Sequence, residues 1–242
     1  MKKPSISMIS AAAPCGLIVF WLGMGMAVHR FPSEYDWRYM TVSDLISPAR
    51  NPHGHLWASA GAVVCWLCGW YWVEALARLY RQRTSGRLPG SVVILRVGFL
   101  FTALSPVVPS WWLPIRKGHE ILALIAFLGL CLGVVLLTFR RLEEGFRRRG
   151  KSAWSHLSAS LVAGVALFPV FLGGLAQAYV MYVLPQLHWV NLSWRARGVP
   201  IYLSFAFWEW TTCMVLSVYI VILSLATPAR LDTPVGGTQA VR

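Results

Sequence analysis

Apolar residues in this chain come in long, nearly unbroken blocks rather than in the single-face stripes of a soluble helix. Six blocks stand out: Met8 to Val28, Leu56 to Leu79, Val92 to Leu113, Ile121 to Phe139, Leu157 to Leu184 and Leu203 to Ala226. A helix rises 1.5 Å per residue and lipid offers its backbone no partners, so about 20 apolar residues are needed to cross the hydrocarbon core. Each block meets that length. The third is the least regular, because Arg96 lies inside it and Pro106 and Pro109 interrupt its far end. The pattern predicts an all-α polytopic membrane helix bundle of about six transmembrane helices. Residues 1–229 form one domain in this reading, and 230–242 a short cytoplasmic tail without fixed structure.

Composition strengthens this picture. Of 242 residues, 57% are hydrophobic and only 13% are charged, about half the charged share of a soluble domain. Thirteen Trp and eight Tyr suit a chain whose amphipathic rings settle at the headgroup level. The formal charge of +13 would suggest nucleic acid in a soluble protein, but the basic residues follow the loops. Fourteen of the 22 Lys and Arg fall on one side of the predicted spans and seven on the other, with Arg96 inside a span. That bias predicts both termini in the cytoplasm. Basic loops there orient the chain and meet anionic headgroups, so membrane lipids are the expected partners and nucleic acid is not. The start, Lys2-Lys3 and an apolar run, resembles a signal peptide, yet the run continues to Val28 without a small-x-small cleavage pattern. It reads as a retained first helix. The expected home is the plasma membrane or a bacterial inner membrane.

All five Cys lie in apolar stretches, where a thiol packs as a small hydrophobe. Cys65 and Cys68 form a C-x-x-C, but Trp66 and Leu67 separate them inside a lipid-length helix and no second ligand pair is near, so packing is the plainer reading.

Chemistry gathers at the predicted outer ends of the helices. Asp44, His53 and His55 precede the second span, Arg116, His119 and Glu120 precede the fourth, and Glu209 stands inside the sixth. By helical rise Glu209 sits about a third of the way into the membrane, where a carboxylate must be paired, protonated or hydrated. The plainer alternative is that Glu209 pairs with Arg116 or a His to lock two helices, and that the histidines are ordinary headgroup neighbours. Glu74 and Arg78 lie where snorkelling accounts for them, and Arg96 is a candidate partner for Glu74. His119-Glu120 begins like the zinc-protease H-E-x-x-H, but the second ligand position is Ala123. A single divalent metal held by His53, His55, Asp44 and His119 from separate segments fits zinc's ligand preferences. Haem between His55 and His119 fits less well, since such ligands usually lie within helices.

Ser43-Asp44-Leu45 followed by Asn51-Pro52, with His119 and Glu209-Trp210 further on, resembles the six-helix DRAM/Frag/Sfk superfamily and its bacterial relatives of unknown function. The resemblance implies six helices and a membrane home. In some eukaryotic relatives it implies a link to lipid-anchor remodelling or lipid organisation. His53 and His55 depart from that pattern.

Three functional expectations follow. The first is an outer-face polar pocket for a lipid or lipid-linked headgroup, with Arg116 on the phosphate and Ser43, Asn51, Glu120 and Trp210 lining the site beside Asp44, His119 and Glu209. The second is a membrane-embedded hydrolase or transferase acting on a lipid, with Glu209 or His119 as general base and Asp44 or a metal orienting water. The third is a proton-coupled transporter.

Overall fold

A computed structural model describes residues 6–83, 89–107, 118–146, 161, 164–165, 167–184, 195–196 and 198–226. Among these residues there are seven α-helices and no strand: α1 Ile6–His29, α2 Val42–Ile46, α3 His55–Arg83, α4 Gly90–Val107, α5 Gly118–Phe146, α6 Phe168–Val183 and α7 Phe205–Ala226. A 3-10 turn, Ile201–Leu203, leads into α7. Four helices contain stretches long and apolar enough to cross a membrane: Ala11–His29, His55–Arg78, Ile121–Glu143 and Phe205–Leu225. Gly90–Leu104 in α4 and Phe168–Val183 are shorter apolar helices. The protein is thus a helical membrane protein.

The fifth block contains the helix Phe168–Val183, with Pro169 in its first turn, where a missing N–H costs nothing; most of the block before it lies outside the described residues, and Leu161 and residues 164–165 there are helical. The sixth block begins its helix at Phe205, because Ile201–Leu203 closes as a 3-10 turn ending at Ser204. Residues 108–117 and 227–242 lie outside the described residues, and so do the far end of the third block and the predicted tail.

Consecutive long helices pack as hairpins: α1 on α3, α3 on α4, α4 on α5, and α6 on α7, while α7 also closes against α1. Lipid tails are as apolar as leucine, so association depends on close backbone approach at small residues. Gly23 on α1 and Gly61 on α3 face each other, and a Cβ on Gly23 would lie 2.6 Å from the Trp57 carbonyl oxygen. Gly98 on α4 meets Gly129 on α5, where a Cβ on Gly98 would fall 2.6 Å from the Leu130 nitrogen. The outside is correspondingly apolar, with Leu22 65% and Phe171 71% exposed.

The interior has two regions. The larger runs through α1, α3, α4, α5 and α7 around Trp72, Leu95, Val134, Tyr219 and Leu223. Tyr219 ties α7 to α5 through its hydroxyl, 2.7 Å from Thr138 Oγ1. The smaller lies at the other end, where Met24, Ala27, Ala58 and Trp210 pack beneath Val42 and Leu45 of α2. The short helix α2 touches α1, α3 and α7 and so caps the bundle at that end. Within the bundle, Arg96 Nη2 lies 2.6 Å from Glu74 Oε1. The predicted partnership forms, and Glu74 is engaged across the α3–α4 contact rather than snorkelling outward.

Candidate functional site

The loop between α1 and α3 folds over the bundle because its own backbone groups find partners there. Thr41 and Asp44 form a reciprocal capping box. Asp44 Oδ2 accepts the Thr41 N–H at 2.8 Å, and Thr41 Oγ1 accepts the Asp44 N–H at 3.2 Å. These bonds satisfy two of the donors that any helix start leaves open. The next amide, Val42 N–H, donates to Glu209 Oε2 of α7 at 2.9 Å. Two carboxylates distant in sequence therefore accept from successive amides of one turn. Arg50 Nη1 completes the group by pairing with Asp44 Oδ1.

Glu209 is the fifth residue of α7, so it stands about 6 Å along the axis from that helix's start. The helix begins later than the apolar block does, and α2 covers its end. The carboxylate is half-buried, and among the described residues Oε1 has no hydrogen-bond partner.

Around the carboxylates the loop is fastened by aromatic and amide groups. Trp210 Nε1 donates to Met40 O at 3.0 Å and to Tyr35 Oη at 3.1 Å. Tyr35 Oη in turn donates to the carbonyls of Met40 and Thr41, each at 2.9 Å. Burial raises the Tyr35 phenol well above its ordinary value, so the group is a neutral donor here. Asn51 is fully buried and its Nδ2 reaches Ala27 O at 3.0 Å and Leu45 O at 3.2 Å, joining the end of α1 to the end of α2. Gly54 lies against that amide, where a Cβ would come within 2.5 Å of Nδ2.

Of the residues predicted for a site, the structure brings together Asp44, Asn51, Glu209 and Trp210, with Ser43 on the same short helix. Asn51 and Trp210, the latter 4% exposed, have their donors committed inward, and Asn51 Oδ1 is buried without a partner among the described residues. His53 is exposed, and the His55 ring Nδ1 sits 3.1 Å from Asn51 O. Among the described residues no three His, Cys, Asp or Glu converge as a metal-ligand set. Arg116 lies outside the described residues, as do the side chains of His119 and Glu120, whose backbones open α5. Arg50 and Tyr35 join the site without having been expected there. Thr41-x-x-Asp44 was a readable capping-box signal, whereas nothing local in the sequence marks Tyr35.

A second ionic group sits beside this one. Asp36 holds Arg38 through two bonds, 2.7 Å to Nε and 3.0 Å to Nη2, with Arg195 Nη1 at 3.4 Å. The hydrogen bond from Arg38 holds the Asp36 carboxyl below the usual carboxylate range.

No protein-family model, curated protein or solved structure matches this chain.

Proposed function

We propose that the α2-capped end of the bundle binds the headgroup of a membrane lipid. The observation that carries this reading is the placement of Glu209. It is an acid one turn inside an apolar helix, held by one oxygen on the Val42 amide, with the other oxygen uncommitted among the described residues. A carboxylate at this depth is costly unless it serves a partner. Beside it, Arg50 is 42% exposed and uses a single N–H on Asp44, which leaves donors for a phosphate. In this reading Arg50 takes the phosphate contact expected of Arg116, and Tyr35, Trp210 and Asn51 hold the loop in place. The two shorter apolar helices also cross the membrane, giving six crossings. Both termini then lie on the cytoplasmic side, as the loop charges support.

The adjacency of two carboxylates favours a second reading, a hydrolase or transferase acting on a bound lipid with Glu209 as general base. One substitution separates the two. Glu209→Gln keeps a carbonyl acceptor for the Val42 amide, so the loop stays closed. Native mass spectrometry of the detergent-purified protein with added lipids tests the binding reading: wild type retains lipid adducts, and Glu209→Gln or Arg50→Gln retains far fewer. Equal adducts in all three proteins would sink it. Turnover of bound lipid by wild type alone would favour the enzyme.

A further inference from the structure

Glu209 and Asp44 set two carboxylates against the one guanidinium of Arg50. With both acids ionised, the described part of this group carries one more negative charge than it balances. The low-dielectric setting makes that imbalance expensive. A ligand that brings a positive charge to Glu209 removes the cost, and one that also brings a phosphate uses the free donors of Arg50. Glu209 offers a lone oxygen, which suits an ammonium that still has N–H donors; a quaternary ammonium has none to give. Two residues before Glu209, Phe207 packs at a tilt against Trp37 at 5.7 Å, and Trp37 is 45% exposed; such a ring favours a cation in either case.

We infer that the site selects a zwitterionic lipid headgroup in which a primary ammonium lies beside a phosphate, the ammonium on Glu209 and the phosphate on Arg50. This rests on the lipid-binding reading above and narrows it to one headgroup chemistry. The occupant is the lipid and not its soluble headgroup, because the capped end belongs to a bundle whose sides are apolar, so acyl chains have a surface to lie on.

The test is a competition in native mass spectrometry with the full chain, using phosphatidylethanolamine, phosphatidylcholine and phosphatidylglycerol of identical acyl chains. Soluble phosphoethanolamine is added as a separate competitor. The expected result is a preference for phosphatidylethanolamine of roughly tenfold over both other lipids, with soluble phosphoethanolamine displacing it only at far higher concentration. Glu209→Gln should abolish the preference while sparing the weaker binding of phosphatidylglycerol through Arg50, and Arg50→Gln should weaken all three lipids. Equal binding of the three lipids by wild type overturns the selectivity and leaves lipid binding standing. Absence of binding by any of them overturns both. Displacement by soluble phosphoethanolamine at lipid-like concentration would assign the site to a soluble ligand. The ranking in wild type decides the matter even if a variant fails to fold.

Discussion

The bundle holds two carboxylate–guanidinium arrangements that differ in their arithmetic. Inside, Glu74 and Arg96 pair one to one across the α3–α4 contact, with side chains 28% and 21% exposed. At the capped end, Asp44 and Glu209 share the first turn of α2, and among the described residues Arg50 alone pairs with either of them. The inner pair balances its charge, although Arg96 Nε is buried without a hydrogen-bond partner among the described residues. The unbalanced group is tied to backbone amides that fix its geometry while leaving one acidic oxygen and several guanidinium donors in hand. The difference teaches that an ionisable residue in an apolar helix signals function only when its partners fail to balance it. Arg96 read in the sequence as a candidate partner for Glu74, and the structure pairs the two.

The comparison can be broken from either side. The largest effect is expected from Arg96→Ala, which leaves Glu74 uncompensated inside the bundle and should cost about 3 kcal/mol. Thermal unfolding in detergent checks it, and adding Glu74→Gln should recover much of the loss. Gly98→Val comes next, since its Cβ would press on Leu130 and Gly129; forced separation of α4 from α5 should cost about 2 kcal/mol. Neither change should alter lipid adducts per folded molecule. At the capped end, Asn51→Ala removes the two bonds joining α1 to α2. It should cost about 1 kcal/mol and speed hydrogen exchange at residues 41–46 more than elsewhere. The smallest effect concerns Asp36. Its carboxyl is held below the usual range by Arg38, so it contributes stability above the unfolded-state value, about pH 4, and that contribution fades as pH falls through the lower folded-state value. Asp36→Asn should therefore lower the unfolding temperature slightly at neutral pH, with the difference from wild type closing below about pH 4.

Much of the fold was legible because lipid imposes a simple rule, a run of apolar residues long enough to span. Four of the six blocks meet it in the structure, and the Glu74–Arg96 pair was visible as two charges at matching depth in adjacent helices. The start of α7 was not legible, because a 3-10 turn and a helix read alike over Ile201–Leu203. The close helix contacts were written in glycines, such as Gly129-x-x-x-Gly133 on α5 facing Gly98 and Leu95, but apolar blocks conceal which face is inward. At the site, Asp44 and Glu209, read from the sequence as helix-end residues, accept from neighbouring amides of one turn. What the sequence withheld was the connection between them, which runs through the main-chain amides of Thr41 and Val42. A backbone hydrogen bond to a side chain 167 positions away leaves no pattern in composition or spacing. For the same reason the bonds by which Asn51 and Trp210 fasten the loop could not be read from the sequence.

The most direct test sets Glu209→Gln beside Glu74→Gln, with unfolding temperature and lipid adducts measured on the same preparations. Glu209→Gln should keep the wild-type unfolding temperature and lose most of its lipid adducts, whereas Glu74→Gln should unfold earlier and keep them. A Glu209→Gln protein that is destabilised yet binds lipid as wild type does would contradict the account, making the capped end a clasp and nothing more.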